Sequence, residues 1–182
     1  MKLVIISNRH LCTGHFLERF EWLTKQHPSR MILREKDLSE DAYTALAQEC
    51  YSICRNNHVP FSVNSFWTVA ERLSLSAVHV SIPILKETPN LPNKFQTVGV
   101  SVHSVEEAVF AQKNGATYLI AGHIFATDCK KDLPPRGLDF LKSVCQSVTI
   151  PVYAIGGITP ERLTSVEFCG AAGVCIMSSA WQ

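Results

Sequence analysis

Short apolar runs and amphipathic stretches alternate along the whole chain. The runs at 3–7, 31–33, 60–63, 77–80, 97–101, 118–121, 152–155 and 173–177 are rich in β-branched or aromatic residues. Most do not alternate with polar residues, which is the pattern of strands covered on both faces. Between them, apolar residues recur at helical spacing over 17–25, 40–55, 65–72, 105–114, 138–146 and 160–168. The punctuation agrees. Ser104 precedes Val105-Glu106-Glu107 in a capping-box arrangement. Thr159-Pro160 sets an N-cap residue before a proline at the first helical position. Asn114-Gly115 and Cys169-Gly170 fall where helices should stop.

Eight strands with interleaved helices predict an α/β fold, a closed (β/α)8 TIM barrel, with an open doubly wound sheet as the alternative. Two departures are expected. Segment 81–93 carries Pro83, Pro89 and Pro92, so the fourth helix should be short or irregular. The eighth strand is followed almost at once by Trp181-Gln182, so the eighth helix should be missing. Barrels of this kind usually take about 200 residues or more, against 182 here, read as a single domain over 1–182. An apolar groove is therefore expected beside strand eight. Its cover would be a partner subunit in a homo-oligomer, a dimer, or Trp181 itself.

Charge and cysteine usage narrow the partners. The net charge is +1 and no Lys/Arg run exceeds two. That gives no field for nucleic acid or a membrane, so any preference for anions must be local. The N-terminal run is too short for a leader or a membrane span and reads as a first buried strand, which suggests a cytoplasmic protein. The seven cysteines are irregularly spaced without a C-x-x-C, as free thiols would be. His10, Cys12 and His15 lack a fourth ligand at zinc-like spacing, so no metal is expected there.

In such a barrel the working residues follow the C-terminal ends of strands. Here those positions switch from apolar to small, polar or basic. Gly156-Gly157 lacks β-carbons, so its amides can approach an oxyanion. Ser178-Ser179 ends the neighbouring strand, where barrels often build phosphate sites. The bland alternative is a tight turn with capping serines. His123 ends strand six, and its loop continues into Thr127, Cys129, Lys130 and Lys131. An imidazole can take and return a proton near neutrality, although a lone histidine is more often a satisfied, partly buried residue. His79 and His103 read as structural. Of Arg34 and Lys36, one should face the barrel mouth, where arginine suits a carboxylate or phosphate. Asp37, Asp128 and Asp132 lie inside loops, and no paired carboxylates stand at strand ends. That argues against a Mg2+-diphosphate mechanism. No Walker, G-x-G-x-x-G or G-x-S-x-G motif occurs.

Four motifs stand in order: Leu33-Arg34-Glu35-Lys36, Gly99-Val100-Ser101-Val102-His103-Ser104, the loop from His123 to Lys131, and the stretch from Ala154 to Pro160. With them the chain resembles the thiamine phosphate synthase superfamily over nearly its whole length. The synthase joins a pyrimidine diphosphate to a thiazole phosphate with Mg2+, and this chain departs from it at four places. Ile32 stands for a glutamine, Asn64-Ser65 for Asn-Asp, Ile84 for a second metal aspartate, and Gly122-His123 for Gly-Pro. These departures are similar to the thiazole tautomerase branch, which carries Gly-His followed by Phe-x-Thr-Asp-Cys-Lys-Lys. The resemblance implies an isomerase, metal-independent and without a cofactor, that aromatises a carboxythiazole ethyl phosphate tautomer. It implies His123 as general acid/base. Arg34, Lys36, Asn64, Ser101, Thr127, Lys130, Gly157, Ser178 and Ser179 would then bind the thiazole phosphate carboxylate. Two other readings stay open: a divergent Mg2+-dependent synthase, which would share Arg34, Lys36, Asn64, Ser101, Thr127 and Lys130, and a non-catalytic thiazole phosphate-binding regulatory protein.

Overall fold

A computed structural model describes residues 1–127, 130 and 133–182. Asp128, Cys129, Lys131 and Asp132, part of the loop motif after His123, lie outside the described residues. The strands are β1 (Lys2–Ile6), β2 (Arg30–Leu33), β3 (Phe61–Asn64), β4 (Ala77–Ser81), β5 (Thr97–Val102), β6 (Tyr118–Gly122), β7 (Val152–Ile155) and β8 (Gly173–Ile176). They close in sequence order into a parallel barrel, with β8 paired back onto β1 through Val4–Cys175 and Ile5–Ile176. The open-sheet alternative is excluded.

Around the barrel run α1 (Phe16–Thr24), α2 (Glu40–Asn56), α3 (Trp67–Arg72), α4 (Ile82–Glu87), α5 (Leu91–Lys94), α6 (Val105–Lys113), α7 (Gly137–Ser147), α8 (Leu163–Phe168) and α9 (Ser178–Trp181). The proline-bearing segment forms two short pieces, α4 and α5, each with proline in its first turn. Caps hold α2 and α6: the Ser39 hydroxyl accepts from the Ala42 amide at 3.3 Å, and the Ser104 hydroxyl from Glu107 at 3.1 Å. One expected start differs. Thr159 makes no side-chain cap, and a 3-10 turn over Pro160–Arg162 precedes a six-residue α8. Its dipole is correspondingly small.

Strand periodicity sorts the core into two shells. Val4, Ile6, Ile32, Tyr118, Ile120, Tyr153 and Cys175 fill the barrel interior. Alternate residues such as Ile5, Met31, Leu33, Val63, Val78 and Leu119 pack outward against the helices.

The final turn, α9, stands where an eighth helix belongs. Trp181 is fully buried and stacks on Phe16, with ring centroids 5.1 Å apart. Its indole N–H donates to the Ile6 carbonyl at 2.8 Å. Arg19 on α1 ties the backbone of this turn down through the Ala180 carbonyl, at 2.7 and 2.9 Å. The groove beside strand eight is thus filled from within, and gives no reason of its own to invoke a partner subunit. No described helix is long and apolar enough to cross a membrane.

Trp181→Ala should cost about 3–5 kcal/mol in urea unfolding. Trp181→Phe, which keeps the stacking but orphans the Ile6 carbonyl, should cost about 1–2 kcal/mol.

Candidate active site

The mouth begins with Arg34. It follows Ile32 by two positions, so strand alternation turns both toward the barrel axis. Its guanidinium reaches Met177 beyond β8, Nη1 to Sδ 4.0 Å. Its amide donates to the buried Ser7 hydroxyl at 2.8 Å, and that hydroxyl donates to Glu35 at 2.6 Å. Glu35 also accepts from the Arg9 amide and side chain, and Arg9 in turn pairs with Asp37, which His10 also contacts. Arg9 holds the Asp37 carboxyl well below the usual carboxylate range. This clamp fixes the ends of β1 and β2 under Arg34. Lys36 is exposed in the loop that follows, and Arg34 is the one of the two seen to reach across the mouth to β8.

Asn64 is set by Tyr43, whose buried phenol donates to the Leu33 carbonyl at 2.6 Å and accepts the Asn64 amide at 3.1 Å. The Ser65 hydroxyl donates to Asn64 Oδ1 at 3.2 Å.

His123 is buried, and its Nε2 lies 3.2 Å from the Leu133 carbonyl. A carbonyl only accepts, so Nε2 carries the proton and Nδ1 is the basic nitrogen. No described residue donates to Nδ1. Gly156 and Gly157, both at positive φ, pack directly on this loop. A β-carbon at Gly156 would collide with that of His123, and one at Gly157 with the Ala126 carbonyl and Phe125. Packing of the β6 and β7 loops therefore accounts for the glycine pair. The Gly157 carbonyl is taken by Arg162 at 2.6 Å. Ser178 and Ser179 open α9, one strand around from Gly157. Thr127 is half-buried and Lys130 exposed, the Lys130 amide donating to the Thr127 carbonyl at 3.0 Å.

Two features were missed by sequence reasoning. His103, read as structural, stands two residues past Ser101 with its side chain exposed. Its Nδ1 lies 2.7 Å from the Gly122 carbonyl, leaving Nε2 as a second base at the mouth. Below it, a polar chain runs through the barrel interior. Arg30 donates to Ser62 Oγ at 2.8 Å and lies over the Tyr118 ring. The Tyr118 phenol meets His79 Nδ1 at 3.1 Å, and His79 Nε2 meets Ser101 Oγ at 2.8 Å. The sequence held two signals for this: Arg30 shares parity with Ile32, and Gly99 interrupts a β-branched strand.

The resemblance raises Mg2+. At the two positions where the synthase carries carboxylates, this chain presents the Asn64-Ser65 pair, bonded to each other, and the aliphatic Ile84 on α4. The nearby acids Glu35 and Asp37 are engaged by Arg9. Among the described residues no group of three His, Cys, Asp or Glu could hold a metal ion. A hard cation seeks carboxylate oxygens, and the donors at these two positions, with the other described residues, do not fit Mg2+.

Fold and mouth together define an α/β barrel that gathers basic, hydroxyl and imidazole groups at the C-terminal ends of its strands. The chain belongs to the thiamine monophosphate synthase family, whose profile matches residues 3–180. It is 33% identical over 183 residues to the thiamine-phosphate synthase of Coprothermobacter proteolyticus, covering 98% of this chain and 86% of that protein. It is also 33% identical over 183 residues to the putative thiamine-phosphate synthase 2 of Aquifex aeolicus, covering 97% and 96%. Among solved structures, thiamine phosphate pyrophosphorylase from Pyrococcus furiosus superposes with a TM-score of 0.81 at 28% identity, covering 97% of this chain and 85% of that one.

His79 makes stability pH-dependent. Burial, and secondarily Arg30, pushes its pKa down from 6.5 to about 3. Between those values the unfolded chain binds the extra proton, so stability falls as pH drops below 6.5, by up to about 1.4 kcal/mol per pH unit. Urea unfolding from pH 7 to 4 should show a shallower slope for His79→Gln than for the wild type; equal slopes would contradict the buried, neutral ring.

Proposed function

We propose that the protein is a thiazole tautomerase of thiamine biosynthesis, aromatising a carboxythiazole ethyl phosphate tautomer by proton transfer at His123. The observation that carries this reading is the pairing of two changes in one mouth. Carboxylates suited to Mg2+ are absent where a diphosphate-using relative needs them, and an imidazole stands at the end of β6. His123 Nδ1 removes the proton from the ring carbon bearing the carboxylate and returns one to the exocyclic carbon. Such a catalyst contributes on the order of 10²–10⁴-fold. Arg34 balances the carboxylate and the negative charge that develops as the proton leaves, with Lys36 and Lys130 adding cationic charge from the loops. The amides of Gly157, Ser178 and Ser179 hold the phosphate. Asn64, Ser101 and Thr127 line the substrate.

The names of the relatives favour a second reading, a divergent thiamine-phosphate synthase. The two readings separate in one comparison. NMR in deuterated water should show aromatisation of the tautomer without Mg2+, and His123→Ala should slow it at least about 100-fold while thiazole phosphate still binds. Unchanged turnover in His123→Ala would overturn the histidine mechanism. Mg2+-dependent formation of thiamine phosphate in place of aromatisation would establish the synthase.

A further inference from the structure

The barrel interior holds a buried imidazole that the mechanism above does not use. His79 bridges Tyr118 and Ser101, and it can do so because residue 99 has no side chain. On β5, Gly99 pairs with His79 of β4 on one side and with Tyr118 of β6 on the other. A β-carbon there would collide with the Tyr118 ring and hydroxyl and with His79 Nδ1. The link between strands four and six is therefore built over the glycine.

From these contacts we infer that His79 is a positioning residue: Tyr118 and His79 form a one-way hydrogen-bond chain that leaves the Ser101 hydroxyl hydrogen pointed at the mouth, as a donor to an anionic ligand. The direction follows from Tyr118. Its phenol is buried, and His79 Nδ1, at 3.1 Å, is the one hydrogen-bond partner of its oxygen among the described residues. Were Nδ1 to donate instead, the phenol hydrogen would be buried without an acceptor, so the phenol donates to Nδ1. His79 Nε2–H donates to Ser101 Oγ at 2.8 Å, and Ser101 turns its own hydrogen outward. The field of Arg30 favours the same sense, because it draws each dipole's negative end toward itself. Reversal would leave the Tyr118 hydrogen without an acceptor and would spend the Ser101 hydrogen on His79. The ring stays neutral through this: it is buried and faces only Arg30 among charged side chains, with Tyr118 and Ser101 as its polar neighbours.

The use of that oriented hydrogen rests on Ser101 touching substrate, as in the proposed function, whereas the direction of the chain does not. A long-range proton–nitrogen NMR correlation on the wild-type protein reads the direction alone. The expected result is His79 protonated at Nε2 and bare at Nδ1 from pH 5 to 8. A ring protonated at Nδ1 overturns the inference, whatever reaction the protein runs.

Tyr118→Phe removes the donor to Nδ1. It should mix the two His79 tautomers and weaken carboxythiazole ethyl phosphate binding by roughly two- to tenfold, the range of one hydrogen bond. His79→Gln, which offers both an acceptor and a donor, should keep most of the affinity, and His79→Leu should not. Equal affinity in Gln and Leu variants that both retain wild-type circular dichroism would overturn the positioning role. Loss of ligand binding in the wild type would instead defeat the substrate assignment and leave the tautomer result standing.

Discussion

Everything at the mouth depends on closing the seam between β1 and β8. Strands of four to six residues leave little register to spare, and the seam is covered by one turn of helix where the other crossovers offer more. Trp181 makes this sufficient. It fills the space of a helix with a single indole, stacked on Phe16 and hydrogen-bonded to the Ile6 carbonyl. Because the seam is shut, β8 comes round to β1 in a fixed register, and Arg34, just past β2, can reach Met177 past the end of β8.

The same economy governs the polar groups. A barrel interior is normally filled with branched apolar side chains, and here Val4, Ile6, Ile32 and Ile120 follow that habit. Arg30, Ser62, Tyr118 and His79 do not. Buried polar atoms are costly unless every one is paired, and among the described residues no buried side-chain nitrogen or oxygen is left without a partner. Among them, Tyr118 and His79 make the chain that ends at Ser101. The Ser7–Glu35–Arg9 clamp does comparable work on the other side of the mouth, holding the backbone beneath Arg34.

Much of the fold was legible because strands buried on both faces leave continuous apolar runs, and all eight are where such runs stand. The breaks were legible too, since three prolines cannot continue one helix and became α4 and α5. The start of α8 was less so: Thr159-Pro160 reads as a cap, but the backbone forms a 3-10 turn there and the side chain caps nothing. At the site, Arg34 and Lys36 share strand parity, and only the loop that begins after Leu33 parts them. Gly156-Gly157 read as an anion cradle, while the structure shows first a packing reason, since β-carbons would strike the His123 loop. His79 and Tyr118 lie on different strands about forty residues apart. Their contact is invisible to local pattern, because what permits it is a missing side chain at Gly99.

The family frame and the local chemistry pull in different directions, and their difference is the central claim. The resemblance to the synthase implies Mg2+-dependent coupling of two substrates; this mouth keeps the frame, presents Ser65 and Ile84 at the implied carboxylate positions, and sets an imidazole after β6. The most direct measurement gives wild-type protein, in parallel, the thiazole tautomer with a chelator present, and the pyrimidine diphosphate with thiazole phosphate and Mg2+. The account predicts aromatisation in the first mixture and no thiamine phosphate above the enzyme-free rate in the second. Coupling in the second mixture, with no aromatisation in the first, would contradict it.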